Sequence, residues 1–293
     1  MENHQYGDAI PALRKALQQN PDLPIAHQLL GYALLAQGYA AEAIPHLERV
    51  HEVGALGIAQ IQTGNAAAAV ANLQAALAKT PNDPDLLYYL SQASEALSQQ
   101  SLDTLTAAYP DCGRAHQVRA HNYFLSRQLP EAEKENQKAL TLRPDVPGLH
   151  LELGEVYAAS SEWPRAEEHF LAETKLQPGN AEAAYRLGDT WLQEGKVQEA
   201  VKELKRADLL RPDMPETLYS LGKAAALAGD APTAERAWTR VLALERESPL
   251  AVQAHYSLAG LYRKQGKVQE AEREMQEFHK LQGRQSRQPT PPH

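Results

Sequence analysis

Eleven histidines, one cysteine and 37 acidic side chains are the groups in this 293-residue chain that could do chemistry. Histidine beside carboxylate or thiolate at suitable spacing binds zinc or activates a nucleophile. The spacings here build neither. His46 and His51 are five residues apart, which places them on different faces of a helix. Glu48 and His51 form a single Glu-x-x-His, whereas a di-metal carboxylate bundle needs two. His27, His116, His150 and His255 stand three residues before Leu30, Arg119, Leu153 and Leu258, so they share one recurring position and read as packing residues rather than ligands. Cys112 follows Pro110-Asp111 with no motif that supplies a base, and reads as an inert thiol. As a single cysteine it also excludes an internal disulfide or a multi-cysteine cluster. The sequence holds no phosphate-cradling Gly-rich loop, G-x-S-x-G elbow or H-E-x-x-H helix. No catalytic residue, metal site or cofactor is expected, and the chain is read as not an enzyme.

Apolar residues make up 43% and charged residues 23%, with 6% aromatics and a mean hydropathy of −0.51. Such a chain folds but has few large rings to fill a core, and disordered, collagen-like and membrane-embedded classes fit its bulk poorly. No run approaches the ~18 apolar residues that span a bilayer. Met1-Glu2-Asn3-His4-Gln5 lacks the basic and apolar regions of an export signal. A cytoplasmic location is expected for the chain as written, or an exported, periplasmic one where an upstream segment supplies the signal. The formal charge is −8, from 29 basic and 37 acidic side chains, so nucleic acid is not expected as a partner. Within residues 24–113 only Arg49 and Lys79 oppose Glu42, Glu48, Glu52, Asp83, Asp85, Glu95, Asp103 and Asp111, and a partner steered by charge to that end is basic.

An internal period sets the elements. Pro110, Pro144, Pro178 and Pro212 recur every 34 residues, and Ala132, Ala166, Ala200 and Ala234 keep the same step. So do Leu153-Gly154, Leu187-Gly188 and Leu221-Gly222. Inside one unit the apolar spacing is helical, as in Leu187 and Trp191 and then Ala200, Leu204 and Ala207, with Glu194-Gly195-Lys196 as the break. The prolines follow the second run, where a residue without an amide donor stops a helix at little cost. Each unit is therefore a helical hairpin. Gly188 and Ala200 let the paired helices approach, and Leu187 and Leu204 fill the space beside that contact. One hairpin cannot bury such a face alone, so neighbours stack into a solenoid.

The unit 181–214, AEAAYRLGDTWLQEGKVQEAVKELKRADLLRPDM, resembles a tetratricopeptide repeat (TPR): the Leu-Gly pair, the aromatic three residues later, the turn Gly, the Ala of the second helix and the closing Pro all match. Five regular units are expected over 113–285, at 113–146, 147–180, 181–214, 215–251 and 252–285. Three irregular ones are expected over 24–112, at 24–49, 50–83 and 84–112, the last with a shortened turn. Residues 1–23 match the second helix of a unit only. The last helix is expected to cap the array, with Val268, Ala271, Met275 and Phe278 inward, and 286–293 to form a disordered tail. The expected fold class is all-α, a right-handed superhelical solenoid of tandem antiparallel hairpins.

The resemblance implies that first helices line a concave side receiving an extended or helical peptide. The side chains it places there include Tyr88, His121 with Arg114 and Gln117, Tyr185 and Asp189, Tyr219 and Lys223, and Tyr256 and Arg263. Tyr185 with Asp189 and Tyr219 with Lys223 are i,i+4 pairs and share a face on spacing alone. Tyrosines flanked by opposite charges suit peptide recognition, since each ring offers contact area and a hydroxyl. Tyr at this slot also covers the next helix, and both readings stand. Some members clamp a terminal carboxylate with Lys, Asn and Arg; the corresponding places here hold Tyr185, Asp189, Ser220, Gln253 and Ser257, which argues against that mode. The leading reading is a non-enzymatic scaffold or adaptor with a protein or peptide partner. An alternative is the recruiting arm of a larger enzyme or envelope-assembly protein whose remainder precedes Met1. Self-association through an uncovered Ile10, Leu13 and Leu17 stripe is a third.

Overall fold

The structure, a computed structural model, describes residues 3–285. The expected tail at 286–293 lies outside the described residues. Among the described residues there are sixteen helices and no strand, and the chain forms two compact units, Met1–Tyr109 and Pro110–His293. The first contains α1 (Asn3–Gln19), α2 (Pro24–Ala36), α3 (Ala40–Arg49), α4 (Val53–Gln62), α5 (Ala66–Leu77) and α6 (Pro84–Ala108). The second contains α7 (Gly113–Leu125), α8 (Leu129–Leu142), α9 (Leu149–Ala159), α10 (Trp163–Leu176) and α11 (Ala181–Gln193). It continues with α12 (Val197–Leu210), α13 (Pro215–Leu227), α14 (Ala231–Leu244), α15 (Pro249–Lys264) and α16 (Val268–Gln285). Within each unit every helix packs on the next, as an all-α solenoid requires. No helix of the described residues is long and apolar enough to cross a membrane.

Helix starts follow local chemistry. Asn65, Asp83, Asn180, Asp230 and Ser248 accept hydrogen bonds from backbone amides in the first turns of α5, α6, α11, α14 and α15, satisfying donors with no intrahelical partner. The turns between paired helices pass through a left-handed residue, Gly195 and Gly229 among them, at φ 77° and 82°. Arg127 and Ser161 take the same conformation in the two preceding hairpins, so the turn geometry survives without glycine.

One contact recurs inside the hairpins. A Cβ built on Gly31, Gly57, Gly154 or Gly188 would lie 2.5–2.7 Å from Leu47, Leu73, Phe170 or Leu204, each sixteen residues later on the second helix. Gly222 stands in the same relation to the Trp238 indole. The missing side chain is what seats the bulky one, and Leu47, Leu73, Phe170 and Leu204 are fully buried as a result. Beside this contact lie the small residues Ala43, Ala69, Ala132, Ala166, Ala200, Ala234 and Ala271, all at or near zero exposure.

The segment 84–112 departs from the expected hairpin: α6 runs unbroken from Pro84 to Ala108. The pair that would close a hairpin is Ser91 and Ala107, with Asp103 in the alanine slot. Those residues offer neither a cleft with a knob nor an apolar small contact, and burying Asp103 unpaired would be costly. The helix therefore continues, and Ala93 is its one buried residue. The expected uncovered stripe on α1 is also absent: Ile10, Leu13 and Leu17 are half-buried against the Leu30, Leu34 and Leu47 core. At the other end Ala271 is buried and Met275 and Phe278 are half-buried, but Val268 is 61% exposed. Its counterparts in the preceding hairpins, Trp163, Val197 and Ala231, are half-buried.

Gly154→Ala, which drives a methyl into the Phe170 ring, is expected to lower stability by ~1–3 kcal/mol in urea unfolding. Gly260→Ala, where the added carbon meets nothing within 4 Å, leaves stability unchanged or raises it by up to about 1 kcal/mol. Amides of 95–108, on the sparsely buried half of α6, are expected to exchange before those of α5; equal protection in native-state hydrogen exchange would contradict this.

Candidate functional site

The helix contacts decide which face is concave. In the first unit α2 meets α4 and α4 meets α6; in the second, α7, α9, α11, α13 and α15 meet in succession. The intervening second helices make no comparable backbone approach among the described residues and are joined instead by long side chains, Arg165 to Glu133 at 2.7 Å and Arg240 to Asp208 at 2.6 Å. Each unit is therefore narrower on its first-helix side.

On that side of the second unit, one register position is held by His121, Glu155, Asp189, Lys223 and Gly260 in turn. Another is held by Gln117, Leu151, Tyr185, Tyr219 and Tyr256. The surface changes chemistry along these rows. From α7 to α11 it is acidic and internally paired. Gln117 donates to Glu152 Oε1 at 2.6 Å, and Arg186 bridges Glu155 and Glu182 at 2.9 Å each. Burial pushes the Glu152 and Glu155 carboxyls up, opposed by the Gln117 hydrogen bond at the first and by the Arg186 charge at the second. Tyr185 packs on the Leu192–Leu204 core, and burial together with the Asp189 charge pushes its hydroxyl up to about 12. Asp189 accepts from Ser220 Oγ at 2.9 Å and ties α11 to α13. Tyr185 and Asp189 thus serve packing and helix-to-helix bonding.

Between α13 and α15 the groove opens into a cavity of about 350 Å3. Tyr219, Lys223 and Leu227 line one wall and Tyr256, Gly260 and Lys264 the other, over Trp238 and Leu261. Trp238 Nε1 donates to the Tyr219 carbonyl at 3.2 Å, and the Tyr256 ring lies 5.3 Å from Phe278, so both walls are anchored from behind. Tyr256 is 59% exposed and Leu227 62%. Of the residues placed on the concave side from sequence, this cavity gathers Tyr219, Lys223 and Tyr256. His121 is exposed on α7, and Arg263 is exposed on α15 but does not line the cavity. Tyr88 belongs to the first unit, where it is exposed and accepts from Gln92 at 2.8 Å. Sequence reasoning passed over Lys264 and Gly260. The signal for Gly260 was present, since it stands where every preceding regular unit carries a titratable side chain.

The recurrent histidines are cross-hairpin pairs. His27, His116, His150 and His255 each meet a residue nineteen positions later: His46 at 2.7 Å, Glu135 at 2.7 Å, His169 at 2.9 Å and Glu274 at 2.5 Å. His27 Nε2 also lies 2.8 Å from the Pro21 carbonyl and must donate to it. A neutral His27 therefore offers its Nδ1 lone pair to the His46 N–H, a bond that protonation of both rings would destroy. Burial, then the facing His27 and Arg14 charges, lower the His46 pKa. Burial, then His150 and Arg165, lower that of His169. Burial raises the Glu135 pKa, but hydrogen bonds from Lys138, His116 and Arg119 more than reverse this and hold it at about 2. No group of three or more metal-ligating side chains occurs among the described residues. Cys112 is half-buried and its Sγ accepts from the Ala115 amide at 3.4 Å, a helix cap.

A tetratricopeptide-repeat family profile matches residues 55–100, 151–215 and 219–278, and a second tetratricopeptide-repeat profile matches 1–55. A human protein, Protein O-mannosyl-transferase TMTC3, is 27% identical over 156 residues, which are 53% of this chain and 17% of that protein. The chain thus spans about a sixth of that relative's length. The crystal structure of MamA superposes with a TM-score of 0.54 at 21% identity, covering 58% of this chain and 97% of MamA. MamA 41-end from Desulfovibrio magneticus RS-1 gives 0.56 at 18%, over 59% and 96%. YrrB, described as a TPR protein with an unusual peptide-binding site, gives 0.54 at 18%, over 62% and 92%. At these identities the structural likeness is one of fold.

The His–His pairs set a pH dependence. With the folded pKa values of His46 and His169 below the ordinary 6.5, the stabilisation they contribute is present above pH 6.5 and is lost as pH falls beneath it. The melting temperature is expected to drop between pH 7.5 and 5.5, and the double variant His46→Gln, His169→Gln is expected to flatten that slope. Glu135 acts lower, its stabilisation present above about 4.5 and lost as pH falls toward 2.

Proposed function

The chain belongs to the tetratricopeptide-repeat family, and from that premise we propose that it is a non-enzymatic interaction scaffold whose second unit holds a segment of a partner protein on its concave face. The observation that carries the reading is the open cavity between α13 and α15. A tyrosine and a leucine remain largely exposed there, on walls anchored by buried packing, and a preformed apolar cleft of this size with few polar groups is the usual form of a recognition site. Tyr219, Lys223 and Tyr256 are assigned to contact. Tyr185 and Asp189 hold the adjoining wall, and His121 and Arg263 stand at the margins. The first unit, with exposed Tyr88 and few basic residues, is left free for a second, basic partner. YrrB's described peptide-binding site on the same fold supports the assignment by analogy.

A second reading, the repeat arm of a larger enzyme or assembly protein, is supported by TMTC3, a transferase by name that aligns over 17% of its length. It uses the same groove and differs in what the chain is attached to.

A photo-crosslinking amino acid at position 256 is expected to capture a partner in the native source, while one at Thr239, exposed on α14, captures none. The double variant Tyr219→Ala, Tyr256→Ala is expected to weaken capture about tenfold, equivalent to ~1.4 kcal/mol, with unchanged far-ultraviolet circular dichroism. Capture from position 239 alone, or unaltered capture by the double variant, would overturn the assignment.

A further inference from the structure

We propose that the α13–α15 groove selects an internal, acidic peptide segment, in which an aromatic or branched aliphatic side chain enters the cavity over Gly260 and flanking Asp or Glu side chains meet Lys223 and Lys264. The proposal rests on the scaffold reading and specifies the chemistry of its ligand.

Three observations carry it. The first is charge. Both ionised groups lining the cavity are lysines, and no carboxylate lines it, in a chain with 37 acidic and 29 basic side chains. Lys223 and Lys264 form no ion pair or hydrogen bond with the described residues, whereas the acids of the adjoining wall are already bonded, Glu155 to Arg186 and Asp189 to Ser220. Two ammonium groups without counter-charges beside an apolar cleft favour a ligand that brings both an apolar body and negative charge.

The second is shape. Position 260 is the one place in its row where the side chain is missing: His121, Glu155, Asp189 and Lys223 fill the equivalent sites. A carbon built on Gly260 meets nothing within 4 Å, unlike Gly154, Gly188 or Gly222, whose absent side chains seat a partner residue of the same hairpin. Gly260 therefore relieves no internal contact and leaves space open to solvent. A helix-interior glycine costs about 0.5–1 kcal/mol relative to alanine, so the opening is held against helix propensity.

The third is the pair of tyrosine walls. Tyr219, whose backbone carbonyl accepts from the Trp238 indole, and Tyr256, whose ring lies against Phe278, flank that space, which suits one inserted apolar side chain at low ordering cost.

The test uses the full chain and two random dodecamer libraries, one with both ends fused to the carrier and one with a free C-terminus. Binders to the wild type are counter-selected on Gly260→Leu, which fills the opening. Circular dichroism and thermal melting confirm that this variant folds. The expected result is enrichment, in the fused library, of an aromatic or branched aliphatic residue with Asp or Glu within two positions. A synthetic peptide of the enriched sequence is expected to bind Gly260→Leu and the double variant Lys223→Glu, Lys264→Glu at least tenfold more weakly, and to lose affinity as salt rises. The lysine variants lie on the surface and keep the test decisive should Gly260→Leu unfold. Enriched peptides that are neutral or basic, or that bind only through a free C-terminal carboxylate, would overturn this proposal and leave the scaffold reading intact. Binders that do not depend on Gly260 would likewise overturn this proposal alone, whereas failure of either library to enrich any binder to the wild type would overturn both.

Discussion

Close approach of two helices at a missing side chain is the constraint on which the rest of this structure depends. Gly31, Gly57, Gly154, Gly188 and Gly222 each admit one large residue from the partner helix, and alanine at the adjacent slot keeps the interaxial distance short. The contact explains how a chain with 6% aromatics fills the cores of its hairpins: the knobs are mostly leucines, and small residues supply the holes. Two hairpins vary the theme by placing alanine at the cleft, Ala120 opposite Asn136 and Ala259 opposite Met275, where a slim polar or flexible side chain replaces the branched knob. Where Ser91, Asp103 and Ala107 stand in the three positions, no hairpin closes and α6 runs on.

The same register orders the polar interior. Four residues before the cleft position, a second cross-hairpin position joins His27 to His46, His116 to Glu135, His150 to His169 and His255 to Glu274. A histidine facing a carboxylate remains bonded when protonated, whereas one facing another histidine requires a lone pair on one ring. Hairpins alike in packing thus differ in their response to acid, and the difference lies in one partner residue.

The proposed recognition surface follows from curvature and from single positions within it. Successive first helices touch, so equivalent residues line up in rows, and each unit contributes one member to each row. From α7 to α11 the row members Gln117, Glu155 and Asp189 are bonded to neighbouring side chains. At α13 and α15 lysine and glycine replace acids, the bonding partners disappear and the groove opens between two tyrosines.

The period of 34 residues, the hairpin nature of each unit and the membership of the family were legible in the sequence, because they depend on spacings within one unit that a helix converts directly into faces. The recurrent histidines were legible as structural for the same reason, and Tyr219, Lys223 and Tyr256 as concave residues through the resemblance. What lies on the other side of a given face was not. Ile10, Leu13 and Leu17 read as an uncovered stripe but are half-buried against α2 and α3, while Val268 read as inward and is exposed. Tyr185 and Tyr256 occupy one slot in the sequence pattern; the core beneath Tyr185 covers the first, and the empty Gly260 position leaves the second open. Burial is a property of neighbours that the chain brings together only on folding. The sequence by itself therefore determined the repeating unit and its family, and the tertiary structure decided which copies of that unit leave their concave side chains exposed.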